Sequence, residues 1–148
     1  MKESLSVVGI VDIELFSSEG IVKHKTTINN LTTVSGKNLI VRKLINDTET
    51  ISSIAIGSGS TPATDTDTDM EQLLSNEDIR FQFIDSINTN VLINTTTFAE
   101  NVGTGTINEV GLFSSSSPQK LLCRAIINDP FEKAATDYLN VSWKIKIG

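Results

Sequence analysis

The residues best placed to do chemistry are the three carboxylates of Asp65-x-Asp67-x-Asp69. Acidic groups at alternate positions are how a calcium loop begins, because successive turns of backbone can then wrap several oxygens around one ion. That loop needs glycine at its sixth position and a bidentate acid at its twelfth. Met70 and Asn76 stand there instead. The carboxylates therefore read as a solvated acidic loop. Thr68 and Glu71 have the spacing of a capping box, which predicts a short helical turn at about 69–75 with Met70, Leu73 and Leu74 on its apolar side.

Other candidate chemistries lack partners. Gly57-Ser58-Gly59-Ser60 has the look of a phosphate-cradling turn, but no Lys-Ser/Thr pair follows and the neighbouring charge is negative. A serine or cysteine nucleophile needs a base. The one histidine, His24, sits between Lys23 and Lys25 in a strand pattern, without a companion. The one cysteine, Cys123, lies among Leu121, Leu122, Ala125 and Ile126 and reads as a small buried hydrophobe. Trp143 keeps phase with aliphatic residues and reads as core; with 5% aromatic residues, a sugar-stacking cleft is poorly supplied. Glu109, in Asn108-Glu109-Val110-Gly111-Leu112-Phe113, either faces solvent or is held by backbone N–H groups beside the central loop, a structural role in both cases. The expectation is no catalytic residue, no cofactor and no metal.

Bulk properties narrow the partners. The chain has 148 residues, 39% hydrophobic and 20% charged, which suits one soluble domain. Its net charge of −6 repels phosphate backbones, so nucleic acid is not an expected partner. No apolar run approaches the roughly 20 residues of a membrane span. Met1 leads directly into Lys2-Glu3-Ser4, which suggests synthesis in a cytoplasm.

Ser, Thr, Asn, Ile and Val are frequent, and this mixture favours strands and turns. Residues 5–16 read as a strand, with Val11, Ile13 and Leu15 sharing one face. A turn at 17–20 returns the chain along 21–29 as a hairpin. One helix is expected at about 36–46, with Ser35 as its cap and Leu39, Ile40 and Leu44 on its apolar face. Further strands are expected at 51–56, 79–84, 90–98, 106–113, 120–127 and 138–147. Ile79, Phe81 and Phe83 would give the second of these a buried face. The stretch 128–137 reads as a long exposed connection. The expected architecture is mostly β, a single-domain (1–148) antiparallel β-sandwich of about eight strands with one packed α-helix and one short helical turn.

Four blocks together resemble a family. Ile54, Gly57, Gly59, Thr61, Pro62, Asp67, Leu73, Leu74 and Glu77 follow an IxxGxGxTxPxxxDTxLxxE-like pattern, although here Thr61 and Pro62 are adjacent and the loop is longer. NNLTTVSGKNLIVRKLIND, NEVGLFSSSSPQKLLCRAII and LNVSWKIKIG resemble three other blocks of the same family, in the same order, across about residues 29–148. The family is the small β-rich virion structural proteins of tailed bacteriophages (tail-fibre, collar or decoration type). The resemblance implies a non-enzymatic subunit, homo-oligomeric and partnered by other phage virion proteins, located in the virion and made in the host bacterial cytoplasm. The expected assembly contacts are Val11, Ile13 and Leu15 on the first strand, Pro62 and Asp67 in the central loop, and Pro130 and Phe131 in the late connection. A receptor- or glycan-binding adhesin module of a phage fibre is the alternative.

Overall fold

Alternation along the first strand sets the first sheet. In the computed structural model, which describes residues 2–148, β1 (Val7–Phe16) buries Val11, Ile13 and Leu15 on one face. It returns as β2 (Val22–Asn29), which leads through β3 (Leu31–Thr32) into α1 (Val34–Lys43) and β4 (Ile51–Gly57). The remaining strands are β5 (Leu73–Asp78), β6 (Phe81–Ile84), β7 (Val91–Phe98), β8 (Gly105–Ser114), β9 (Leu121–Lys133) and β10 (Tyr138–Ile147). They form two five-stranded antiparallel sheets, ordered β2-β1-β10-β7-β6 and β3-β9-β8-β4-β5. The core lies between them. Val11, Ile13, Leu139, Val141 and Trp143 face Ile54, Ile56, Val110 and Leu112 within one continuous apolar cluster. The Trp143 indole donates its N–H to Asn30 Oδ1 at 2.8 Å, so its polar edge is not stranded in the core.

The β-sandwich is as the sequence indicates, with ten strands among the described residues rather than eight. The two extra strands are β3 and β5, and β5 begins within the span expected to be a helical turn, taking its last three residues. The capping box does not form. The Glu71 carboxylate instead accepts the N–H groups of Ser60 and Thr61, and the following residues pair with β4. A free sheet edge outcompetes a helix of two turns, whose formation is dominated by a costly nucleus.

The helix starts earlier than expected. Thr33, not Ser35, is the cap: its Oγ1 accepts the Gly36 N–H at 3.1 Å. Asn46 takes a left-handed φ of 63° just after the helix, and Leu44 and Ile45 are exposed. The expected exposed connection at 128–137 is also corrected. β9 runs on to Lys133 and pairs Phe131 with Ile107 and Lys133 with Gly105. The ladder skips between Ile107 and Glu109, so Asn128, Asp129 and Pro130 bulge outward. That polar bulge is what reads as a breaker in the sequence.

Candidate functional site

The central loop, residues 58–72, folds back over the outer face of the second sheet. Met70 seals it in a small second core with Ala55, Phe113 and Leu121. Strand pairing brings Glu109 of β8 beside Gly57 of β4 on one side and Ile126 of β9 on the other. The Glu109 side chain is fully buried under the loop. Its Oε1 accepts from Gln72 N at 2.7 Å and Gly59 N at 3.2 Å. Its Oε2 accepts from Glu71 N at 3.1 Å and Arg124 Nε at 2.8 Å. Both ends of the loop are thus held by one carboxylate. Of the two readings of Glu109, the backbone-held one is what the structure shows.

Glycine is required where the loop meets that carboxylate. A Cβ on Gly57 would lie 2.5 Å from Glu109 Oε1 and 2.4 Å from the Gln72 carbonyl oxygen. A Cβ on Gly59 would lie 2.7 Å from the same Oε1 and 2.4 Å from Glu71 Cβ. Gly57-Ser58-Gly59 is therefore a cradle for a carboxylate of the protein itself.

Arg124 extends the network outward. Its Nη1 donates to Asp67 Oδ2 at 3.1 Å, and Asp67 also accepts from Thr64 N and Thr64 Oγ1. Burial raises the Asp67 carboxyl, but the Thr64 hydrogen bonds and the Arg124 guanidinium outweigh it and hold the group below the usual carboxylate range. Asp67 is thus committed to the loop's own structure. Burial pushes the Cys123 thiol up to about 12, so it is protonated and inert at neutral pH. His24 lies on the edge strand β2, 3.1 Å from Asp129 and packed on the Phe131 ring.

The expected contact residues divide sharply. Val11, Ile13 and Leu15 are 0–2% exposed, on a strand paired on both sides. This corrects their reading as contacts: they belong to the core, and β1 has no free edge. Phe131 is also buried, because β9 carries it into the sheet opposite Ile107. Asp67 is half-buried in its ion pair, while Pro62 and Pro130 are exposed.

Two features escaped the sequence reading. Arg124 and Lys133 are buried cations. Lys133 Nζ donates to the carbonyls of Ala99 and Asp137, and burial pushes its ammonium pKa down. The signal for Arg124 was a lone charge inside the apolar run LLCRAII, which demands a buried partner. The second feature is apolar. Between α1 and the β6–β7 hairpin the sheets part around a cleft of about 630 Å³, lined by Leu39, Ile40 and Leu44 on one side and by Ile84, Leu92 and Ile145 on the other. Next to it Phe81, Phe83 and Ile84 are 61%, 50% and 64% exposed, where a buried face was expected. β6 is a sheet edge whose residues are all exposed, one face turned to the cleft and the other to solvent.

Comparison with known proteins returned no matching family model, no matching curated protein and no matching solved structure. Among the described residues, no helix is long and apolar enough to cross a membrane.

Proposed function

We propose that this chain is a non-enzymatic structural subunit of a tailed-bacteriophage virion, working by assembly with copies of itself and with other virion proteins at the tail, collar, baseplate or capsid surface. One observation carries the reading. The residues behind the family resemblance come from distant parts of the chain, yet several converge on one centre. Gly57 and Gly59 of the first block cradle Glu109 of the NEVGLF block. That carboxylate pairs with Arg124 of the LLCRA segment, and Arg124 pairs with Asp67 of the first block. That convergence supports reading the blocks as parts of one pattern.

The site chemistry agrees with a structural role. Each Glu109 oxygen is occupied by donors from the protein, and the carboxylate is closed to solvent. The acidic surface charge suits protein partners rather than nucleic acid. Apolar side chains remain exposed around β6 and the end of α1, the kind of surface that assembly covers.

Quantitative mass spectrometry of purified particles from a lysate expressing this chain tests the reading. A fixed copy ratio to the major capsid protein is the expected result. A ratio near one would assign the chain to the head surface, and a small ratio to the tail, collar or baseplate. A chain absent from particles would overturn the proposal.

A further inference from the structure

The sheet edges are not equally protected. β2 carries Lys23, His24 and Lys25, β5 ends on Glu77-Asp78, and β3 is two residues long. Charge and shortness are how soluble proteins keep edges from pairing. β6 reads Phe81-Gln82-Phe83-Ile84, with no charge and no proline, and all four residues are exposed. Its register places Phe81 opposite Thr95 and Ile84 opposite Leu92. Asp85 N donates to Val91 O at 2.9 Å, so the odd-numbered residues of β6 turn their backbone groups toward β7; just before the strand, Arg80 N also turns inward, donating to Thr95 O at 2.8 Å. Antiparallel alternation then leaves the N–H and C=O groups of Gln82 and Ile84 directed outward. The two faces differ as well. Gln82 donates to the buried Asn94 and, with Ile84, lines the apolar cleft, whereas Phe81 borders a shallow outer-face pocket with Asp12 and Thr97.

We propose that β6 pairs antiparallel with β6 of a second copy, joining the two first sheets into one ten-stranded sheet. The proposal rests on the assembly reading and narrows it to one edge and one partner. Charge selects both the partner and the direction. β6 is preceded by Arg80 and followed by Asp85. Antiparallel self-pairing brings the Arg80 end of each strand to the Asp85 end of the other copy, while parallel pairing would set like ends beside like. Opposed residues of an antiparallel pair share a face, so the register must join positions of equal parity. The central solution sets Gln82 against Gln82. It lets the two Gln82 backbones exchange hydrogen bonds reciprocally and places each Phe81 directly across from Phe83 of the other copy. Two aromatic cross-strand pairs then cover the outer face of the joint. The contact is isologous and closes at two subunits.

Sedimentation of the full chain across about 1 µM to 1 mM tests this, with circular dichroism as a folding control. The expected result is a concentration-dependent dimer. The double variant F81K/F83K sets lysine against lysine twice and should weaken the dimer by about tenfold or more while leaving the fold intact. The double variant F81E/F83K sets each Glu against a Lys of the other copy and should restore it. Wild-type protein that stays monomeric throughout would overturn the proposal. So would a dimer that F81K/F83K leaves unchanged, or one that F81E/F83K fails to restore. Particle copy number is independent of these outcomes: a dimer from a chain absent from virions would sink the virion reading alone, and a virion component indifferent to F81K/F83K would sink β6 pairing alone.

Discussion

The second sheet's outer face and the mouth below α1 are finished by opposite means. On the outer face, a loop is bound down by a buried carboxylate with four donors, and Met70 fills the remaining space. At the mouth, the sheets part around an apolar cleft, and the neighbouring strand and helix end leave Phe81, Phe83, Ile84 and Leu44 in solvent. Polar contacts are directional, so one arrangement of the first region brings four donors onto Glu109, with Arg124 Nη2 left as a buried donor without a partner. Apolar contacts are not directional, and the second region has surface left over. The rigid region sets the shape of the domain, and the open region is where a neighbour gains most by docking.

The largest effect should come from breaking the closed region. Glu109→Ala leaves the Arg124 guanidinium buried beside an apolar methyl and strips three backbone N–H groups of their acceptor. Removing one partner of a buried pair costs roughly 3–5 kcal/mol. Chemical denaturation should show a loss of that size. Hydrogen exchange should accelerate first at Gly59, Glu71 and Gln72, whose N–H groups point at the carboxylate. An unfolding midpoint within error of wild type would mean the centre is replaceable.

Gly59→Ala should come next. The added methyl meets Glu109 Oε1 at 2.7 Å and the backbone-anchored Glu71 Cβ at 2.4 Å, so the carboxylate must move off its donors. Overpacking of this kind costs about 1–3 kcal/mol. Gly59 is outside the left-handed region, so its loss reports the clash alone; Gly20, with φ 80° and a Cβ that would meet only the Tyr138 hydroxyl at 3.6 Å, gives the contrasting case of backbone strain without a clash.

These two regions also differ in how legible they were. The alternations at 11–15 and 139–147 identify the core strands directly, because a period of two with apolar side chains has one physical reading. The edges were harder. β5 was taken for a helical turn because Thr68 and Glu71 have cap spacing, and nothing local reveals that Glu71 will bond Ser60 and Thr61 eleven and ten positions back. β6 looked half-buried because alternation says which side chains share a face, not whether a second layer covers that face. The carboxylate centre was half visible. Glu109 stood out within NEVGLF, while its partner Arg124 was passed over inside an apolar run. Their pairing depends on a β8–β9 register that only the folded sheet provides. The placing of Val11, Ile13 and Leu15 has the same origin: nothing local to β1 shows that β10 and β2 pair on its two sides and turn these residues into the core.

Asp67→Asn separates charge from hydrogen bonding in the closed region. The depressed carboxyl of Asp67 contributes stability that is fully present above its unfolded value, near pH 3.9, and is lost as pH falls through the lower folded value. Asparagine cannot ionise, so the variant should lose about 1 kcal/mol at neutral pH. Below about pH 4 its stability should converge on that of wild type. Parallel stability-versus-pH curves would show that the Arg124–Asp67 pair is not what holds the outer loop.

The smallest effect is expected at the open region, and it sharpens the contrast most. Leu44 is 83% exposed at the end of α1, on the rim of the cleft. A side chain so exposed has little burial to lose, so Leu44→Ser should shift the stability of the isolated chain by no more than about 0.5 kcal/mol. Leu39, one turn and a residue earlier, is 5% exposed and packs in the main core. Leu39→Ala should cost about 2–5 kcal/mol by the ordinary cavity penalty. The two leucines thus bracket the rim, one part of the fold and the other surplus to it. If Leu44→Ser destabilised the monomer as much as Leu39→Ala, the helix end would have to be packed in solution, and the cleft would close over itself without a neighbour. A silent Leu44→Ser leaves the apolar rim with no task inside the monomer.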